Sequence, residues 1–234
     1  MHQTQNQQKS HSQASRHPLW LLAGFWFCVV IAIGVVLRRL IAFIHPSQSG
    51  PPQMARLDAA FSSHALLTAL HIIPAAIFVI LSAIVLLRRS GGQWPERLFF
   101  PFGVITGATA YAMSAYAIGG WVERSAVLVF DTWFLFSLGR AYWLRLHADT
   151  VRTREWITRA VGVLLGIATT RPVMGAFFAT STRTHLQPNQ FFGIAFWIGF
   201  SINVLVVELW LHSKRHARLH NRELPFGNLE ASAR

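Results

Sequence analysis

Six long apolar stretches, nearly free of charged residues, constrain this chain more than any other feature of its sequence. Each stretch has about 18 residues or more, which in a helix is enough to cross a hydrocarbon core roughly 30 Å thick. Only 13% of the residues are charged, whereas an average soluble domain has about 25%. We therefore predict an all-α fold, a polytopic membrane helix bundle with six transmembrane helices.

The apolar stretches also predict how the chain is organised. They place helices at about 19–37, 66–87, 98–118, 126–143, 156–178 and 191–211. The transmembrane domain is thus expected over residues 19–212. The polar segment 1–18 is rich in Gln and Ser, which predicts a disordered cytoplasmic N-terminus. Residues 213–234 are predicted to form a basic cytoplasmic tail.

The distribution of Lys and Arg predicts the orientation of the bundle. With the N-terminus inside, fifteen of the basic residues fall in inner segments and six in outer segments. Basic residues accumulate on the cytoplasmic side of membrane proteins. We therefore expect a multi-pass protein of the cell membrane, plasma or inner, with both termini in the cytoplasm. The net charge of +12 then reflects this bias, and nucleic acid is not an expected partner.

Polar side chains within four predicted helices fall at one estimated depth near the outer side. At a rise of about 1.5 Å per residue, this layer contains His71, Tyr111, Asp131 and Arg171. Ionisable groups in spanning helices usually face the interior of the bundle and pair with one another. We predict an ion pair between Asp131 and Arg171, with His71 and Tyr111 facing the same cavity. The pair could be purely structural, or the site could open outward and bind an anionic or carbonyl-bearing ligand.

A second polar layer is predicted near the cytoplasmic side. It contains Arg140, Arg159, Asn203 and Glu208. We expect Glu208 to pair with Arg159 or Arg140 in a structural role. A carboxylate that relays protons is the alternative for Glu208.

The histidines raise the question of a haem cofactor. His64 and His71 are seven residues apart and share one face of the second helix, so they are the candidate cofactor-binding residues. A bis-histidine haem in a helix bundle takes its ligands from two facing helices, and no other predicted helix carries a central histidine. The single cysteine, Cys28, and the absence of zinc or iron–sulfur spacings predict no metal site. We expect no cofactor, with a b-type haem as the alternative.

Three segments of the chain resemble a known family. HALLTALHIIPAAIFVILSAIVLLRR, WITRAVGVLLGIATTR and FWIGFSINVLVVELWL are similar to the bacterial predicted membrane proteins called domain of unknown function 2306, over about residues 60–212. The positions that match the family's patterns are His64, His71, Trp156, Arg159, Thr169, Arg171, Trp197, Asn203 and Glu208. The resemblance implies a bacterial inner-membrane protein, but the family has no assigned activity.

Two departures from the family concern haem directly. The chain has Thr153 and the turn WPERLFF where the family has histidines on the cytoplasmic side. The comparison of this family with haem-b electron-transfer bundles depends on those histidines. We therefore predict no haem on the inner side and at most one haem on the outer side.

Three functions remain open at this stage. The first is a non-catalytic membrane protein that binds or senses a small molecule, or that serves as a subunit for another membrane protein or a second copy of itself. The second is an electron-transfer protein with one b-type haem or a quinone on the outer side. The third is a small-molecule transporter, for which Pro172 predicts a local break in the fifth helix. The sequence contains no specific catalytic motif, so an enzyme is the less favoured interpretation.

Overall fold

The computed structural model describes residues 18–44, 59, 62–87 and 94–223. These residues form six α-helices and, in these ranges, no strand. In chain order the helices are α1 Leu19–Ile44, α2 Ala65–Leu87, α3 Trp94–Ser114, α4 Gly120–Leu146, α5 Thr150–Thr184 and α6 Pro188–Glu223. The predicted all-α bundle is confirmed. The predicted disorder before Pro18 and the tail beyond residue 223 lie outside the described residues.

Four of the helices extend well beyond their predicted ends. α4 begins six residues earlier than predicted and α5 likewise, while α6 continues as a helix through residues 213–223 of the predicted tail. Asp149 explains the early start of α5, because its side chain accepts a hydrogen bond from the Arg152 backbone N–H at 3.0 Å and so caps the helix. α5 is continuous through Pro172, so the predicted local break is wrong.

Consecutive helices run antiparallel. Phe78 of α2 stacks on Phe99 of α3 with ring centroids 4.4 Å apart, and Glu96 near the start of α3 pairs with Arg145 near the end of α4. The connections 115–119 and 185–187 therefore lie at one end of the bundle, called here the 115–119 end. The connection 147–149 lies at the opposite end, called the 147–149 end.

The helices have the composition of membrane spans. In the described part of the chain, α1, α2, α5 and α6 are each long and apolar enough to cross a membrane. Large apolar side chains on the outside of the bundle are widely exposed, including Leu66 at 75% and Leu209 at 67%. Such a surface is unfavourable in water, and we conclude that this is a membrane protein in contact with the lipid bilayer. α3 and α4 are more polar, and their length and composition alone do not identify them as spans. A count of six spans therefore remains a prediction.

Helices α5 and α6 pack especially closely, because glycines bring their backbones together. A Cβ atom added at Gly199 of α6 would lie 2.7 Å from the backbone nitrogen and 2.8 Å from the Cα atom of Thr170 in α5. A Cβ atom added at Gly162 of α5 would lie 2.5 Å from the side chain of Val207 in α6. One added at Gly166 would lie 2.5 Å from the ring of Phe200. Small residues at helix contacts are typical of membrane proteins, where close packing stabilises association.

This contact predicts a large difference between two glycines. Gly199→Ala places a methyl group against the α5 backbone, which cannot rotate away, and should cost about 1–3 kcal/mol of folding free energy. Gly175→Ala is the matched control in α5, because no atom lies within 4 Å of its Cβ position. Unfolding by sodium dodecyl sulfate in mixed micelles measures both variants. Equal stability of the two variants would contradict the packing described here.

Candidate functional site

A cavity of about 260 Å³ lies among the helices toward the 115–119 end, and all six helices contribute to its lining. Much of the lining consists of small side chains, such as Ala32 of α1, Ala75 of α2 and Ala110 of α3. These residues fill little space, so the volume remains open at the centre of the bundle. The cavity is slightly smaller than the roughly 300–1,000 Å³ typical of ligand pockets, which suits a small molecule.

Most of the polar layer predicted from the sequence lies on this cavity. Three of its four residues, His71, Asp131 and Arg171, contribute to the lining, and so does His64, a candidate cofactor-binding residue. Tyr111 does not, because its hydroxyl forms a hydrogen bond with Thr132 of α4. The prediction that Tyr111 faces the cavity is therefore wrong.

The predicted ion pair between Asp131 and Arg171 does not form. Asp131 is only 8% exposed, and its Oδ2 atom has no hydrogen-bond partner among the described residues. The Arg171 side chain extends toward the C-terminal end of α5, where Nη1 lies 3.8 Å from the sulfur of Met174. Its Nε atom is also buried without a hydrogen-bond partner in the described part of the chain. The two side chains thus line the same cavity but do not contact each other.

Glu123 lies at the 115–119 end of the cavity, called here the mouth, and was not predicted from the sequence as a site residue. Its carboxylate accepts a hydrogen bond from the Gly119 backbone N–H at 2.6 Å, and its charge acts on Arg171. Asp131 lies eight residues further along α4, about 12 Å deeper at the helical rise. The sequence analysis placed Glu123 in a connection because it predicted α4 to begin at residue 126. An acidic residue in the first turn of a helix is the signal that could have revealed it.

His64 covers part of the mouth. Its ring stacks on Tyr116 with centroids 3.7 Å apart, and its Nδ1 atom lies 2.9 Å from the Ser63 hydroxyl. Tyr116 lies in the connection between α3 and α4, which the sequence analysis had assigned to the third helix. The two rings are tilted by 33° to each other, and both residues line the cavity.

His71 lies within the cavity wall and is held there by a hydrogen bond. Its Nδ1 atom is 3.0 Å from the Thr109 hydroxyl, and that hydroxyl donates its proton to the Ile105 carbonyl at 2.7 Å. The same hydroxyl lies 3.0 Å from the Thr106 carbonyl, so it connects His71 to two backbone carbonyls of α3.

Among the described residues, the lining does not supply the two axial ligands of a bis-histidine haem. Of the two described histidines of the cavity, His71 lies in α2 and His64 immediately precedes it, whereas such a haem needs ligands on two facing helices. Within the described ranges, no three side chains of the types His, Cys, Asp and Glu are grouped so that they could hold a metal ion.

The second polar layer forms as predicted around one ion pair. Arg159 donates from Nε to Oε1 of Glu208 at 2.6 Å and from Nη2 to Oε2 at 2.9 Å, so the predicted pairing of Glu208 with Arg159 is confirmed. The guanidinium of Arg140 instead lies 4.5 Å from the centre of the Trp143 ring. Asn203 accepts a hydrogen bond from the Thr169 hydroxyl at 3.0 Å. The Arg159–Glu208 and Thr169–Asn203 contacts join α5 to α6, whereas the Arg140 contact lies within α4.

A second cavity, of about 280 Å³, lies toward the 147–149 end between α1, α2, α5 and α6. Its lining is almost entirely apolar and includes Cys28, Gly162 and Asn203. Asn203 is its main polar residue, and the Asn203 side-chain oxygen is already bonded to Thr169. This cavity therefore offers little to orient a polar ligand.

Comparison of the chain with protein-family models, with curated proteins and with solved structures finds no match. The resemblance to domain of unknown function 2306 therefore stays a prediction. The interpretation of the site depends on its geometry alone.

The Arg159–Glu208 pair predicts a measurable loss of stability. Glu208→Gln leaves the buried guanidinium of Arg159, which is 7% exposed, without its counter-charge. Removing one partner of a fully buried pair costs about 3–5 kcal/mol, and we expect about 2 kcal/mol here because Glu208 is partly exposed. Arg218→Gln, which weakens an exposed pair with Glu155, should cost less than about 1 kcal/mol. Equal losses in the two variants, measured by detergent unfolding, would show that Arg159 does not depend on Glu208.

Proposed function

We propose that the chain crosses a bacterial inner membrane six times, with both termini in the cytoplasm. α3 and α4 have 21 and 27 residues, and about 20 residues suffice to cross a bilayer. Both run antiparallel to neighbours that have the composition of spans. Around the 147–149 end the chain carries the basic residues Arg145, Arg152, Arg154, Lys214, Arg215 and Arg218, as expected for a cytoplasmic face.

Single-cysteine labelling tests this topology. The chain has one cysteine, so Cys28→Ser gives a cysteine-free background. Gln187→Cys, in the α5–α6 connection, should react in intact cells with a membrane-impermeant maleimide. His147→Cys, at the 147–149 end, should react only after permeabilisation. The reverse labelling pattern would show that the orientation is inverted. Reaction of both cysteine variants in intact cells would contradict six spans.

We further propose that the protein is a non-catalytic receptor for a small amphiphilic molecule, which enters the cavity from the outer side. The observation that carries this proposal is the pair of buried polar atoms on one cavity, Oδ2 of Asp131 and Nε of Arg171, that have no partner among the described residues. Buried polar groups without hydrogen bonds cost free energy. A ligand with complementary polar groups removes that cost.

The division of the lining between apolar and polar groups also supports binding. Ligand sites are mainly apolar with a few well-placed polar groups that orient the ligand. Here the apolar groups include Phe130, Phe196 and Phe200, and the polar groups lie both at the mouth and about 12 Å deeper. This arrangement suits a ligand with an apolar body, and it serves either a sensor or the ligand-binding subunit of a larger membrane complex.

Access to the cavity from outside is the critical test. In the Cys28→Ser background, Ala110→Cys places a thiol in the cavity wall, whereas Ala108→Cys places one on the exposed side of the same helix, where it faces lipid. A small water-soluble methanethiosulfonate added to intact cells should modify Cys at position 110 at least about tenfold faster than Cys at 108, because the thiolate that reacts forms poorly in hydrocarbon. Equal, slow reaction at both positions would contradict an accessible ligand cavity.

A further inference from the structure

The deep part of the cavity has a single carboxylate that lacks a counter-charge. Asp131 is almost completely buried. Among the described residues, its Oδ2 atom has no hydrogen-bond partner and its carboxylate forms no ion pair. Of the two described cations of the lining, Arg39 lies near the C-terminal end of α1, toward the 115–119 end, and the Arg171 side chain extends toward that same end, to Met174. A buried carboxylate is stable as a charge only when a cation lies beside it.

Aromatic rings form much of the wall at the depth of Asp131. Phe130 and Phe134 are its neighbours in α4, both line the cavity, and both are buried. Phe200 of α6 stacks against Phe130 with ring centroids 5.3 Å apart. The faces of aromatic rings attract cations, and weakly hydrated organic ammonium groups are those that such sites bind best.

The same lining disfavours a metal ion as the counter-charge. Divalent cations such as Mg²⁺ and Ca²⁺ require several oxygen ligands, and the described residues offer no cluster of three potential ligands. An organic ammonium group needs no such set, since one carboxylate and apolar or aromatic neighbours are sufficient. The volume of about 260 Å³ accommodates a molecule of this size class.

We propose that the ligand is a small organic cation, an inference that rests on the proposed receptor function. Its ammonium group binds at Asp131 among the rings of Phe130, Phe134 and Phe200. Its remaining part extends toward the mouth, where Glu123 and Arg171 offer a carboxylate and a guanidinium. His71 lies in the wall, where its Nδ1 atom is bonded to the Thr109 hydroxyl.

Protection of the cavity thiol tests this proposal. The protein with Cys28→Ser and Ala110→Cys is purified in nanodiscs, and the rate of its modification by a small neutral maleimide is measured. Choline is the probe, and 3,3-dimethyl-1-butanol is its control, because a carbon atom replaces the charged nitrogen in nearly the same shape. Choline should slow the modification at concentrations at which the neutral alcohol does not.

Asp131→Asn, added to this protein, should raise the half-protecting concentration of choline by about tenfold or more, as expected from the loss of a charge-assisted contact. The unprotected rate should stay the same, which shows that the cavity is intact. Glu96→Gln, which removes a carboxylate paired with Arg145 far from the cavity, should leave protection unchanged.

The contrary outcomes separate the two proposals. Equal protection by choline and its neutral analogue, or full protection of the Asp131→Asn protein, overturns the ammonium site and leaves the receptor cavity in place. Loss of protection in Glu123→Gln but not in Asp131→Asn overturns it as well, because the cation would then bind at the mouth. If the thiol at position 110 never reacts, the receptor proposal itself fails. The comparison of the two probes needs no Asp131 variant, so it remains decisive if that variant does not fold.

Discussion

The close contact between α5 and α6 is the interaction on which the rest of the bundle depends. Gly162 and Gly166 of α5 and Gly199 of α6 let the two helices approach until side chain meets backbone. In hydrocarbon, the hydrophobic effect does not drive helices together, so association depends on such packing and on polar contacts. Here the polar contacts are the Thr169–Asn203 hydrogen bond and the bidentate ion pair between Arg159 and Glu208. Together they fix both the spacing and the relative register of the two helices.

This pair then positions α4, and through it the cavity. Gly193 of α6 lies against the first turn of α4. A Cβ atom added at Gly193 would be 2.5 Å from the backbone nitrogen of Glu123. Further along the same two helices, Phe130 packs on Trp197 and Phe200. α4 is thereby held parallel to α6, with Asp131 turned toward the centre. α1 and α2 complete the wall at that level with alanines, and the space they leave is the cavity.

The sequence predicted helices and depths better than side-chain directions. The lengths of the apolar stretches located all six helices. They did not predict that Asp149 caps α5, and this cap makes α5 begin six residues before its predicted start. The depth estimate also placed His71, Asp131 and Arg171 on one cavity. It could not show that the flexible Arg171 side chain extends along α5 toward Met174, or that Tyr111 bonds to Thr132. Rotamers depend on neighbours that only the packed bundle defines, and a rise per residue contains no information about them.

The contrast between Arg159 and Asp131 is the strongest argument that the two polar layers have different roles. Both side chains are buried to a similar extent, and both would be costly in hydrocarbon as isolated charges. Arg159 has a partner on the adjacent helix with the geometry of a bidentate ion pair, which is what a structural charge requires. Asp131 has none in the described part of the chain, although Arg171 lines the same cavity and its side chain extends away. A charge that served only to hold helices together would be expected to have its partner within the protein. The open volume beside Asp131 leaves room for a partner that the described residues do not supply, which is what the proposed binding site requires.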